Sequence, residues 1–154
     1  MKKVKRKVLV FGTFDPLHRG HEYFLGQAKK LGDELLVVVA RDSYIRKVKN
    51  REPNFNEETR KREVEKLGLV DIAILGKEWP VTNRYGLLRE LTFNVVALGY
   101  DQKPDNAKVE QELAKIGRGD ILVVRLKAYQ PERYKSSFIP LRRKPPRRRW
   151  GGAL

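Results

Sequence analysis

The sequence holds two histidines, His18 and His21, three residues apart in the run Gly12-Thr13-Phe14-Asp15-Pro16-Leu17-His18-Arg19-Gly20-His21. At the start of a helix this spacing sets both imidazoles on one side of the first turn, where free backbone N–H groups and the helix dipole already favour an anion. Gly20 lies between them and lets a ligand approach the backbone. Two imidazoles and the Thr13 hydroxyl donate hydrogen bonds to phosphate oxygens without a full fixed charge, which suits a group whose charge shifts as it reacts. Spacing alone leaves open a pair of solvent-facing histidines and a two-histidine metal site. A preceding strand-like run and the flanking glycines favour phosphate.

The elements that must position these residues follow from the apolar pattern. Val8, Leu9, Val10 and Phe11, within Lys7 to Gly12, form the continuous run of a strand buried on both faces. Over residues 20–31, Tyr23, Phe24, Ala28 and Leu31 recur at helical spacing, with Lys29 and Lys30 in the last turn and Gly32 as the stop. Leu35 to Ala40 is a second strand, and the basic stretch from Arg41 to Asn54 reads as a loop. Asn56 caps a helix that opens with Glu57 and Glu58 and buries Val64 and Leu67. Val70 to Leu75, Asn94 to Leu98 and Ile121 to Leu126 are three further strands. A short helix over Tyr85 to Leu91 and another marked by Val109, Leu113 and Ile116 separate them.

Strands alternating with helices require right-handed crossovers that cover both faces of a parallel sheet, so the fold class is a Rossmann-like, doubly wound α/β sheet of five strands. Ligands of such sheets bind beyond the carboxyl ends of the strands, near the point where strand order reverses. The Gly12–His21 run stands at one of those ends.

Composition bounds the partners. The chain has 154 residues and a formal net charge of +15, which points to an anionic partner. Eleven of its 34 Lys and Arg lie in two acid-free stretches near the ends, residues 2–7 and 142–149, and leave +4 for the body. The stretch 142–154, broken by Pro145 and Pro146, reads as a disordered arm appended to a domain over residues 1–141. That arm is a candidate for loose contact with polyanions through phosphates, with Trp150 available for stacking. The absence of Cys excludes disulfides and thiolate chemistry within the chain. No apolar run approaches the roughly 20 residues needed to span a bilayer, and the expected location is the cytoplasm.

The run from Gly12 to His21 resembles the H-x-G-H signature of the nucleotidylyltransferase superfamily, preceded by its Gly-Thr-Phe-Asp. Gln27 to Leu35 and Val38 to Asp42 are similar to its cytidylyltransferase-like branch, and Ala97-Leu98-Gly99-Tyr100-Asp101-Gln102 resembles the archaeal FAD synthases within that branch. The resemblance covers roughly residues 7–139 and implies transfer of a nucleotidyl group from a nucleoside triphosphate to a phosphorylated acceptor, with release of pyrophosphate and Mg²⁺ as helper. It casts His18, His21 and Thr13 as the catalytic groups, and Gly12, Phe14, Gly20, Asp101, Ser136 and Ser137 as further nucleotide-binding residues. Lys47 and Lys49, with ordinary surface charge as their alternative, become phosphate-binding candidates, together with Arg60, which resembles a family arginine, and Arg133, which supplies positive charge near the second signature. Asp15 is the candidate metal ligand, although Asp before Pro is also a common turn former. Asp101 has a second reading as a helix cap. Ser136-Ser137-Phe138-Ile139 resembles the second family signature but departs from it at Phe138, where a basic residue is common, and is followed by Pro140.

Three functions fit these residues. The first is an FMN adenylyltransferase that makes FAD from ATP and FMN. The second is a cytidylyltransferase that uses CTP and glycerol 3-phosphate or another phosphoalcohol. The third is a non-catalytic polyanion-binding protein. A flavin pocket needs planar apolar walls, for which Phe14, Tyr44, Trp79, Tyr85 and Tyr100 are placed in or near the expected loops. Related enzymes are often dimers, which the resemblance extends to this chain as an expected homodimer.

Overall fold

Val8, Leu9 and Val10 are fully buried in succession, and a strand with no exposed face must lie inside a sheet covered on both sides. The computed structural model, which describes residues 5–78, 86–100, 102 and 105–127, places this strand at the centre. In chain order the elements are β1 (Lys7–Gly12), α1 (Arg19–Lys29), β2 (Glu34–Val39), α2 (Asp42–Val48), α3 (Glu57–Glu65), β3 (Ile72–Leu75), α4 (Gly86–Glu90), β4 (Val95–Leu98), α5 (Asn106–Lys115) and β5 (Leu122–Arg125). The strands form one sheet in the order β3-β2-β1-β4-β5, and every pair is parallel. The chain winds outward from β1 to β3 and then returns to β4 on the other side of β1. Strand order therefore reverses between β1 and β4.

Successive strand residues point to opposite faces, so the sheet builds two cores. Val8 and Val10 pack on one side with Leu25 and Ala28 of α1 and Val64 of α3. Leu9 and Val96 pack on the other with Leu88 of α4 and Val109 and Leu113 of α5. Burying one such side chain stabilises the fold by about 1.5–3 kcal/mol, so the two-sided core holds β1, and the turn it feeds, in a fixed place. Asn56 caps α3 by accepting the Thr59 N–H at 2.8 Å, as its sequence position predicts.

The stretch read as a loop after β2 is corrected in part: Asp42–Val48 is helical. Only Ile45 of this helix is buried, so no apolar period marks it in the sequence. It is held from outside, because the Asp42 N–H donates to Glu57 at 2.8 Å and the Asp42 carboxylate pairs with Arg60 at 2.8 Å. The cap of α5 is Asp105, which accepts the Lys108 N–H at 2.9 Å, whereas Asp101 lies outside the described residues.

Candidate active site

The turn that leaves β1 places both histidines at the start of α1. His18 is the N-cap, and its Nδ1 accepts the Gly20 N–H at 3.0 Å. His21 closes the reciprocal half, its Nδ1 accepting the His18 N–H at 3.2 Å. A neutral imidazole whose Nδ1 accepts a hydrogen bond carries its proton on Nε2, so the backbone sets the same tautomer in both rings. The rings stack with centroids 3.8 Å apart, and the Phe14 ring meets His21 edge-on at 5.0 Å.

The electrostatics favour neutral rings. Burial lowers the pKa of His18 to about 4. His21 is held well below its ordinary value by burial, and further by the positive charges of His18 and Lys49. The pair thus offers two neutral N–H donors of fixed tautomer at a helix N-terminus, an arrangement suited to phosphate oxygens.

Gly12 and Phe14 shape the turn. A Cβ on Gly12 would meet carbons of the Phe14 ring at 2.4–3.0 Å, so the ring lies where any side chain at position 12 would stand. Phe14 itself has φ +52°, a left-handed conformation that costs a non-glycine residue of order 1–3 kcal/mol and persists only when its surroundings enforce it. Here the enforcement is visible: Phe14 is buried, the carbonyls of Gly12 and Thr13 before it accept from the Ala40 N–H (2.9 Å) and from Arg60 (2.9 Å), and the Asp15 carbonyl after it accepts from the Asn54 side-chain amide (3.1 Å).

The guanidinium of Arg60, the expected phosphate contact, is engaged by the protein itself. Its side chain has no exposed surface. Its guanidinium donates to the carbonyls of Phe55 (2.9 Å), Thr13 (2.9 Å) and Ala40 (2.7 Å) and to the Asp42 carboxylate (2.8 Å). The planar fork of an arginine meets several acceptors at once, and here it braces the turn after β1 against the end of β2. Its partners come from three separate segments, so no local pattern announces the role.

Asp15 is also differently engaged. One carboxylate oxygen accepts from Arg51 (2.9 Å) and the Asn54 N–H (2.8 Å), and the other from the Phe55 N–H (2.9 Å). The carboxylate is fully buried and ties the turn to the segment entering α3. Both of its oxygens are committed to the protein, which does not fit a metal ligand. Among the described residues no three His, Asp or Glu side chains come together in a cation-binding group.

Of the two lysines after β2, Lys49 is brought within electrostatic reach of His21, while both Lys47 and Lys49 are exposed. Tyr100 is exposed beyond β4, and Tyr44 is half-buried in α2. Trp79, Tyr85, Asp101, Arg133, Ser136, Ser137, Phe138, Pro140 and the basic stretch 142–154 lie outside the described residues.

Sequence reasoning missed two residues beside the point where strand order reverses. The side-chain amide of Gln102 donates to the Phe11 carbonyl (3.2 Å) and accepts the Gly99 N–H (3.0 Å). Arg125, at the end of β5, donates to the carbonyls of Gly99 (2.7 Å) and Gln102 (2.6 Å). The available signal was the short Gly99–Gln102 turn, which returns a side chain toward the strand it has just left.

A depression of about 510 Å³ lies at the opposite, amino-terminal end of the strands, lined by Lys5, Arg6, Lys30, Leu31, Gly32, Asp33 and Asn94. Backbone N–H groups of Arg6 and Lys7 already occupy Asp33 and Asn94 there, and it lies away from the imidazole pair. No helix among the described residues is long and apolar enough to cross a membrane.

The cytidylyltransferase-like family profile matches residues 9–141. An FAD synthase of Aciduliprofundum boonei is 45% identical over 123 residues, which are 80% of this chain and 79% of that protein. An FAD synthase of Archaeoglobus profundus is 44% identical over 137 residues, 89% of this chain and 84% of that protein. Among solved structures, a lipopolysaccharide core biosynthesis protein of Thermoplasma volcanium matches with a TM-score of 0.73 at 38% identity, covering 82% of this chain and 100% of that one.

Proposed function

The chain belongs to the cytidylyltransferase-like family, and on that premise we propose that it is an FAD synthase, an FMN adenylyltransferase that uses ATP. The observation that carries the chemistry is the stacked imidazole pair whose Nδ1 atoms are both engaged by backbone N–H groups. The named relatives, similar over most of both chains, support FMN as the acceptor.

A phosphate oxygen of FMN attacks the α-phosphorus of ATP. The new P–O bond forms as the bond to the bridging oxygen of the β-phosphate breaks, and that oxygen leaves with its electron pair as pyrophosphate. The nucleophile is already anionic, so the protein positions the reactants and neutralises charge rather than abstracting a proton. His18 and His21 donate from Nε2 to the phosphate oxygens, with Thr13 beside them at the turn. Lys49 adds positive charge on the same side. Gly12, Phe14 and Gly20 shape the nucleotide-binding turn, and Asp101, Ser136, Ser137 and Arg133 contribute from the segments beyond β4 and β5.

Mg²⁺ belongs to this reading only as a companion of the triphosphate, since magnesium keeps much of its water and takes phosphate oxygens readily. The described side chains do not assemble a site for it, and no step above runs through it. The homodimer, the cytoplasmic location and the contact of residues 142–149 with polyanions complete the proposal. Sedimentation and salt-dependent retention on heparin, with and without residues 142–154, test the dimer and the polyanion contact.

The deciding experiment is a product assay with ATP or CTP paired with FMN or glycerol 3-phosphate. FAD formed only from ATP and FMN supports the proposal. A cytidylylated phosphoalcohol overturns it in favour of a CTP-dependent enzyme, and pyrophosphate release from none of the pairs leaves polyanion binding as the function.

A further inference from the structure

The sheet is not equally tight along its length. β1 stays paired with β2 as far as Gly12 opposite Val39, and β4 with β5 as far as Leu98 opposite Arg125. The β1–β4 ladder, by contrast, pairs Val8 with Val95 and Leu9 with Val96. The two halves of the sheet thus part toward their carboxyl ends at the junction where strand order reverses and a ligand of such a sheet enters.

Among the described residues, the side chain of Gln102 lies across this opening. Gln102 Nε2 donates to the carbonyl of Phe11, the residue before Gly12, and Gln102 Oε1 accepts the N–H of Gly99, the residue after β4. A glutamine amide has the donor and acceptor of a peptide unit, so it takes the place of the backbone pairing that the diverging strands give up. Its own backbone is held on the far side, where the Gln102 N–H donates to Gly99 and Arg125 donates to the carbonyls of Gly99 and Gln102. Asn106, at the start of α5, in turn accepts from Arg125 Nε at 3.1 Å. A continuous chain of hydrogen bonds therefore runs from α5 and β5 through Gln102 into the strand that ends in the histidine turn.

We propose that Gln102 is a positioning residue for the nucleotidyl transfer: its amide sets the spacing of β1 and β4 at the crevice and so places the turn carrying His18 and His21 relative to substrate bound across it. The reacting atoms are held from both halves of the sheet, and a misplacement of about 1 Å is enough to cost on the order of 10²-fold in rate. This inference rests on the proposed adenylyl transfer. The wild-type assay separates the two, since wild-type protein that makes no FAD defeats the function, whereas a variant as fast as an FAD-forming wild type defeats only the role of Gln102.

The test compares Gln102→Leu and Gln102→Glu in the full chain, measuring kcat, KM for ATP and for FMN, and the melting temperature. The expected result for Gln102→Leu is a fall in kcat of about 10- to 100-fold with less than a threefold change in either KM. Gln102→Glu carries the discriminating signature. Its ionised carboxylate has no proton to give the Phe11 carbonyl, whereas the protonated acid donates to Phe11 and still accepts from Gly99. Its kcat relative to wild type should therefore recover as pH falls through the range in which the new carboxyl protonates. Unchanged kcat in folded Gln102→Leu overturns the proposal. A ratio of Gln102→Glu to wild type that does not vary with pH overturns it as well, and that second criterion holds even where Gln102→Leu fails to fold.

Discussion

The imidazoles of His18 and His21 lie 3.8 Å apart in near-parallel stacking, and each turns its Nδ1 back onto the main chain, one to Gly20 and the other to His18 itself. One set of hydrogen bonds thus caps the helix, selects the tautomer and fixes the relative position of two donors. Capping and phosphate binding are usually assigned to different groups. In this protein the two rings proposed to bind phosphate are also the ones that cap α1, which has consequences for how they respond to mutation and to pH.

Replacing His18 should separate those functions. His18→Asn keeps a side chain able to cap α1 but removes the imidazole, whereas His18→Ala removes both. We expect turnover to fall by roughly 10²–10³-fold in each, as for loss of a donor to developing negative charge. Only the alanine variant should also lose about 0.5–2 kcal/mol of stability from the missing cap. Urea denaturation beside a steady-state assay checks this, and His21→Ala should match the activity loss. Near-normal turnover in folded His18→Asn and His21→Ala would remove both imidazoles from the reaction.

The buried His18 and half-buried His21 also predict how stability varies with pH. In the unfolded chain a histidine titrates near 6.5, but in the fold burial brings His18 down to about 4 and keeps His21 well below its usual value. Below pH 6.5 the unfolded state binds more protons than the native state, so stability falls as pH falls. The loss should begin near pH 6.5 and continue to about pH 4, reaching about 3 kcal/mol for His18. Denaturation midpoints measured from pH 7 to 4 should show this slope, and His18→Asn should flatten it.

Arg60 distinguishes a brace from a ligand contact. A phosphate-binding arginine, once removed, raises the KM for nucleotide and leaves the fold alone. Arg60→Met would instead strip three backbone carbonyls and Asp42 of their partner. Breaking such a buried pair costs roughly 3–5 kcal/mol, a drop of about 10 °C in melting temperature for a chain of this size. Calorimetry of Arg60→Met and Arg60→Lys measures it. The lysine variant should recover only part of the loss, because an ammonium does not reproduce the guanidinium fork.

The two lysines of the basic segment should behave differently. Lys49 acts electrostatically on His21, and Lys49→Ala should raise the KM for ATP several-fold at low salt, an effect that shrinks as ionic strength screens exposed charges. Lys47→Ala should leave the KM within twofold of wild type. Kinetics of both variants at 50 and 300 mM salt separate the two positions.

The strands and the turn after the first of them were legible in the sequence because they rest on local relations. Val8 to Phe11 is too continuously apolar to face water on either side, and His18, Gly20 and His21 sit within one helical turn of each other. Asn56 and the acidic residues after it mark a helix start on the same local grounds. What only the tertiary structure decided are the side chains whose partners come from other elements. Arg60 reads as one more cation until the ends of β1 and β2 bring their carbonyls around it. Asp15 reads as an oxygen ligand until Arg51, Asn54 and Phe55 fold back to occupy both its oxygens. Helix α2 carries one buried residue and is held by Glu57 and Arg60 from the following helix, and Gln102 finds its place only where β1 and β4 diverge. A sequence pattern records periodicity and neighbours along the chain, whereas a buried polar group is committed by acceptors that only the folded chain brings within hydrogen-bond distance.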